Sequence, residues 1–301
     1  MTENFSEDIV KVKQNAKGRY DYRCGNRTKW IMTDFDKIKE YYSVFDEQNR
    51  LIRDNSGKLE YEMTMRILEK HLPEEGTILD LGGGAGVYAF PLAKKGYKVY
   101  LADLSEHLIG QAKERKEVEK TENLVACDVV NAMDLSIYQD NMFDVVIALG
   151  PFYHLTEEDE RRKCVSEIRR VLKDGGTVIA GFIPYLSGSI AIVDRYFFCP
   201  AHVNASNLSH VFETGKFHNL ASNGFQEGYY ATAAEMKQLF EDNGFETTCI
   251  RSIRGFAYEK EDMIYGVKDE DVLAEIMKAI DKTAEDPAIV EMCGHAVYIG
   301  K

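Results

Sequence analysis

Three aspartates carry the first chemical signal. Asp80 lies in TILDL (77–81), Asp103 in YKVYLADL (97–104), and Asp128 in NLVACDV (123–129). Each stands at or near the end of a short apolar run rich in β-branched and aromatic residues, the composition of a buried strand. If those strands run parallel, three successive carboxylates reach one edge of a sheet. Glycines 82, 84 and 86 directly follow the first run in ILDLGGGAGVYAF (78–90). Glycine there lets the backbone turn tightly and lets a ligand approach without Cβ clashes. Gly84-x-Gly86-x-x-Ala89 also fits the dinucleotide fingerprint. A carboxylate at Asp80 would repel a pyrophosphate, however, and suits a ligand carrying positive charge. The fourth run, FDVVIALG (143–150), opens into LGPFYHL (149–155), which presents the Tyr153 phenol and the His154 imidazole. An imidazole can accept a proton from a hydroxyl, amine or thiol.

The elements that must position these groups alternate along the chain. Leu59, Met63, Ile67, Leu68 and Leu72 recur at helical spacing and predict a helix over 58–72, set off by the breaker Asn55-Ser56-Gly57 and closed by Pro73 and Gly76. A helix over 87–95 stops at Gly96, and Ser105 caps another over 106–116. Thr156 reads as the cap of a helix over 157–172, with Asp159 at its third position in place of the usual capping-box Glu. Asp174-Gly175-Gly176 turns the chain into a fifth strand over 177–183. Strand–helix alternation with short connections predicts an α/β fold, a mostly parallel sheet with helices on both faces and ligands beyond the carboxyl ends of its strands.

Four segments follow. Residues 1–57 form an N-terminal extension or cap, aromatic-rich and helical in part over 35–52; residues 58–183 form the binding core. Residues 184–230 read as an irregular, aromatic inserted cover. Residues 231–301 complete the sheet, with a helical insert near 256–293 and a last strand over 295–301.

Composition narrows the function class. The chain has 301 residues, 45% hydrophobic and 29% charged, with a net charge of −13. An acidic body repels phosphate backbones. No apolar run approaches the roughly 18 residues of a membrane span, and the polar start MTENFSED has no signal-peptide pattern, so a cytoplasmic protein without a membrane partner is expected. Six cysteines with no C-x-x-C pair, and no metal-ligand spacing, point to reduced thiols and no metal. Segment 11–30 dissents: seven Lys and Arg stand against Asp21 alone, interleaved with Tyr20, Tyr22 and Trp30. Such a mixture can grip single-stranded nucleic acid or dock as a solvated arm on an acidic body.

Taken together, these motifs resemble the class I S-adenosylmethionine-dependent methyltransferases over roughly residues 58 to 255. The family's D-x-G-x-G-x-G signature stands here as Asp80-Leu81-Gly82-Gly83-Gly84-Ala85-Gly86. The resemblance implies a seven-stranded Rossmann-like sheet with S-adenosyl-L-methionine as cofactor. It implies that Gly82, Gly84 and Gly86 wrap the methionine part and that Asp80 holds its ammonium end. Asp103, with Leu104 beside it, is implied to take the ribose hydroxyls, and Asp128 the adenine amino group with a backbone contact from Val129. LGPFYHL then falls at the fourth motif, where amino-methylating nucleic-acid enzymes carry Asn/Asp-Pro-Pro-Tyr/Phe. Leu149 replaces the gripping Asn or Asp, which argues against base-amino methylation; the stretch is similar instead to a bacterial group with L-G-P-x-Y-H-L. Leu149 then flanks the cofactor, and Tyr153 and His154 are the candidate catalytic residues.

The expected activity is methyl transfer to O, N, S or a carboxylate of a small molecule. The layout also resembles the tRNA enzymes that methyl-esterify a carboxymethoxy group on wobble uridine, with segment 11–30 as the tRNA grip. A nicotinamide-dependent oxidoreductase and a non-catalytic sensor of S-adenosylmethionine complete the alternatives.

Overall fold

The computed structural model describes residues 33–44, 51, 53–221 and 224–301, together with the backbone of two strands near the N-terminus. Those strands, β1 (Lys11–Gln14) and β2 (Tyr20–Arg23), pair antiparallel with Lys11 opposite Arg23. They belong to a separate unit, residues 1–32. The remainder of the basic segment 11–30, with Cys24, lies outside the described residues.

The second unit, Thr33–Lys301, is built on one sheet. Its parallel strands are β3 (Thr77–Leu81), β4 (Lys98–Asp103), β5 (Leu124–Val129), β6 (Phe143–Ala148) and β7 (Leu172–Pro184). Two further strands, β10 (Thr247–Ser252) and β11 (Ala296–Gly300), complete the order β5-β4-β3-β6-β7-β11-β10. β11 is antiparallel to both neighbours, so its first residue meets Phe182 near the carboxyl end of β7. This is the mostly parallel sheet expected from the alternation, with the seven strands and Rossmann-like order that the resemblance implies. A short hairpin, β8 (Lys216–His218) with β9 (Glu227–Ala231), extends it where β9 joins the end of β7 in parallel.

Side-chain alternation sends each strand's apolar residues to two cores. Leu79, Leu81, Val146 and Val178 face the helix α5 (Glu158–Val171) through Cys164, Val165 and Ile168. Ile78, Val145, Ile147 and Ile179 face α2 (Asn55–His71) through Leu59, Met63 and Ile67. Asp80 shares the parity of Ile78 and is 1% exposed. Two layers of helices on a central sheet follow directly from strands that are apolar on both faces. None of the described helices is long and apolar enough to cross a membrane. The five described cysteines are free thiols.

Three local expectations are corrected. Asn55-Ser56-Gly57 does not break the chain but forms the first turn of α2, because Asp54 caps it: its carboxylate accepts the Gly57 N–H at 2.9 Å. α5 starts one residue later than expected, with Glu157 as its cap and Glu160, not Asp159, at the third position. Glu160 Oε2 accepts the Glu157 N–H at 3.3 Å, and Thr156 is taken up instead by Thr33, whose hydroxyl accepts the Thr156 N–H at 2.9 Å. Residues 184–230 are not irregular. They fold into α6 (Tyr185–Phe198), α7 (Ala205–Thr214) and the β8–β9 hairpin, around a small core of Ile192, Val203, Val211, Phe217 and Tyr230.

Candidate functional site

The chain runs from β3 to β4 and β5 on one side, then returns to place β6 on the other side of β3. Such a reversal opens a crevice beyond the carboxyl ends of the two strands where it occurs. The loops after β3 and β6 meet there closely. A Cβ on Gly82, whose φ is +71°, would fall 2.8 Å from Pro151 Cδ, and one on Gly150 would fall 2.9 Å from the Gly82 carbonyl. Both positions therefore require glycine. The cleft has a volume of about 1040 Å³, part of it open to solvent.

Asp80 sits at its base. Burial first, and the neighbouring Asp103 charge second, push the Asp80 carboxyl up to about 7 against a lowering backbone contact from Ala89. Its Oδ2 finds no hydrogen-bond partner among the described residues. A Cβ on Gly83 would fall 2.5 Å from that oxygen, so the glycine keeps it reachable. Asp103 also lines the cleft, its carboxylate accepting the Gly84 and Ser105 N–H groups, both at 2.8 Å. These bonds orient the group. Ser105 caps α4 (Glu106–Glu119) through Leu108, and Leu104 lines the cleft beside Asp103.

Not every candidate reaches the cleft. Asp128 is held by the Tyr138 hydroxyl at 3.0 Å, and Val129 is 45% exposed; neither lines it. The chain arrives only with Val130, Asn131 and Ala132, because the Val130 N–H still bonds the Asp103 carbonyl and prolongs the strand. Gly86 is likewise outside the lining. Its φ of +85° and its approach to Phe90 make it the packing point for α3 (Ala89–Lys94).

Gly82, Gly84, Leu149, Tyr153 and His154 all line the cleft. Pro151–Tyr153 is one turn of 3-10 helix, which projects Tyr153 and His154 from the end of β6. Opposite them lies α1 (Phe35–Val44), whose Phe35, Ile38, Lys39 and Tyr42 line the cleft at the i, i+3, i+4, i+7 spacing of one helical face. Its start is anchored by the Thr33 N–H to Glu160 at 2.9 Å and the Asp34 N–H to Glu227 at 3.1 Å. Tyr42 Oη and His154 Nε2 are 2.9 Å apart. Tyr42, Tyr153 and Phe225 rings surround the imidazole at 4.7–5.6 Å between centroids. This enclosure lowers His154 to about 4, only partly opposed by the Glu227 backbone. At neutral pH the ring is an uncharged imidazole. The α1 residues were missed as site residues, although their helical spacing stands in FDKIKEYY (35–42).

Residues 79–180 match the family described as a methyltransferase domain. The glycine/sarcosine N-methyltransferase of Parasynechococcus marenigrum is 31% identical over 144 residues, which cover 47% of this chain and half of that relative. The crystal structure of the PH0226 protein from Pyrococcus horikoshii superposes with a TM-score of 0.59 at 20% identity, covering 87% of this chain and 98% of that one. A protein of Methanosarcina mazei described as an S-adenosylmethionine-dependent methyltransferase gives a TM-score of 0.54 at 20% identity, covering 78% and 95%. The matched stretch thus holds β3 through most of β7, the part of the sheet that carries the cleft.

Proposed function

We propose that the chain is an S-adenosylmethionine-dependent methyltransferase that moves a methyl group to O, N, S or a carboxylate of a small molecule. The observation that carries the reading is Asp80: a buried carboxylate with an unpartnered oxygen, at a glycine-opened cleft, with a second carboxylate beside it. Two carboxylates around one cleft are costly unless the ligand is cationic, and S-adenosylmethionine carries both an ammonium and a sulfonium. The pyrophosphate of a nicotinamide cofactor would add negative charge to the same place. The residues therefore fit the cofactor that the matched domain implies.

Asp80 would hold the ammonium end, with Gly82, Gly83 and Gly84 giving the methionine part close access. Asp103, fixed by two backbone N–H groups, would accept the ribose hydroxyls. Asp128 and Val129 do not line the cleft, so the adenine contact passes to Val130, Asn131 and Ala132, which do. When bound, S-adenosylmethionine supplies a methyl group already activated on sulfur. The chain's own task is then positioning and exclusion of water, and α1 over the cleft serves both. His154, neutral and tied to Tyr42, braces α1 against the β6 loop. Its low basicity makes it a poor proton acceptor. Titrating the full chain with S-adenosylmethionine, and separately with NADP, tests the reading. Binding of the first alone supports it, and binding of NADP alone overturns it.

A further inference from the structure

Helix α6 is inverted for a surface helix. Its buried face is built largely from small residues, Ser187, Gly188 and Ser189, with Ile192. A Cβ on Gly188 would fall 2.4 Å from the Tyr230 ring, and the Ser187 hydroxyl accepts the Gly294 N–H at 3.0 Å, so this face is fixed against the body. The large apolar side chains point outward instead. Leu186, Ile190, Val193 and Phe197 recur at i, i+4, i+7 and i+11, a single narrow stripe, with Tyr196 and Phe198 beside it. All six are between 42% and 79% exposed. From Tyr185 to Val193 the helix carries no charge. We infer that this stripe is the interface of a twofold dimer, in which the partner is a second copy of this chain and the two α6 helices pack antiparallel.

Two observations commit the stripe to a second copy. The first is its symmetry. The steps of 4, 3 and 4 residues read the same in both directions along the helix. A twofold axis through the helix midpoint therefore sets Leu186 against the partner's Phe197 and Ile190 against the partner's Val193, and repeats both contacts. The second is size. At about 200 Å² for a large apolar side chain, the six α6 residues leave on the order of 700 Å² exposed, near the roughly 800 Å² that each partner gives to a stable interface. Ile190 and Ala191 also line a groove of about 850 Å³ with Phe256, Tyr258, Ile289 and Met292, so the apolar surface continues past the helix. Patches of this extent mark interaction sites rather than ordinary solvent-facing surface.

A lipid surface is the competing cover. Interfacial helices surround their apolar face with Lys and Arg. Here Arg195 is matched by Asp194 on the same helix, Lys260 by Glu259 on the groove, and the chain's net charge is −13. That balance repels an anionic membrane and leaves a second copy as the better occupant. The dimer does not depend on the cofactor reading, and the two stand or fall separately.

Sedimentation equilibrium of the full chain, without cofactor, tests the inference. The parent chain should show the mass of two chains at ~50 μM, well above a micromolar Kd. Ile190→Lys and Val193→Glu, each at an exposed position, should give folded monomers. An equimolar mixture of the two variants should regain the dimer mass, because antiparallel pairing sets the new lysine of one chain against the new glutamate of the other. Hydrogen exchange of the parent chain gives a reading that needs no variant: raising its concentration from about 0.1 to about 50 μM should slow exchange in peptides spanning Tyr185–Phe198. A parent chain that is monomeric at the higher concentration overturns the inference, and one that then floats with phosphatidylglycerol vesicles assigns the stripe to lipid. A dimer that survives both substitutions, or protection confined to peptides outside α6, places the interface elsewhere and overturns it as well. A mixture of folded variants that stays monomeric overturns the antiparallel pairing.

Discussion

The charge state of Asp80 gives the account its sharpest quantitative consequence. With its carboxyl raised from an ordinary 3.8 to about 7, mainly by burial, the ligand-free chain holds a proton there at mildly acid pH. A ligand ammonium stabilises the ionised form, so binding below pH 7 must expel that proton. Affinity should then fall nearly tenfold per pH unit below 7, or roughly twentyfold between pH 7.5 and 5.5. Keeping the upper limit at 7.5 leaves the ligand's own amine mostly charged. The assay is isothermal titration with S-adenosylmethionine across this range, in buffers of differing ionisation enthalpy to count the proton released. Asp80→Asn should bind more weakly at pH 7.5 by about 1.5–3 kcal/mol, the worth of a hydrogen bond to a charged group, and should lose the steep pH dependence. Stability without ligand should move the opposite way. The native state binds the extra proton between pH 3.8 and about 7, so Asp80's contribution declines as pH rises through that window, by as much as about 4 kcal/mol, and Asp80→Asn should flatten the decline. A parent chain whose affinity is the same at pH 5.5 and 7.5 would refute the placement of Asp80 against a cation.

Two other predictions concern the same cleft. Gly83→Ala places a methyl 2.5 Å from the Asp80 carboxyl and 2.6 Å from Leu101, so it should cost about 1–3 kcal/mol of stability by overpacking and abolish cofactor binding, read by thermal melting and titration. His154 is neutral at all pH values well above about 4, so the turnover profile between pH 6 and 8 should keep its shape in His154→Gln; a lost inflection there would make His154 a working base.

How the sequence foretells this site, and where it does not, follows from what each residue's neighbours demand. The β3–glycine–α3 passage is legible because its constraints are local: an apolar run, an acid, and glycines whose positive φ only glycine adopts readily. LGPFYHL is legible as a strand end facing a cleft. The reason for Gly150 is not, since it lies in a 2.9 Å approach to Gly82, a residue nearly seventy positions away. Asp128 lies outside the cleft lining for a similar reason. Its strand end resembles that of Asp103, but Tyr138, ten residues on, claims its carboxylate. Thr156 looks like a helix cap and is instead bonded to Thr33, 123 residues earlier. Glu60 hides within an apolar helical pattern, where a charged residue reads as solvent-facing. Its burial comes with the packing of Arg254 and the short helix Glu261–Tyr265 against α2, far along the chain. The 184–230 segment reads as irregular because its helices are amphipathic around a core of its own rather than around the sheet.

The central claim is that the Asp80 cleft holds S-adenosylmethionine for methyl transfer to a small molecule. Its most direct measurement is a titration of the full chain carried through to turnover, with methyl-labelled S-adenosylmethionine and parallel metabolite and RNA fractions. The account predicts one-to-one binding, no binding of NADP, and label accumulating in the metabolite fraction. Binding of NADP without S-adenosylmethionine, or label confined to RNA, would contradict it.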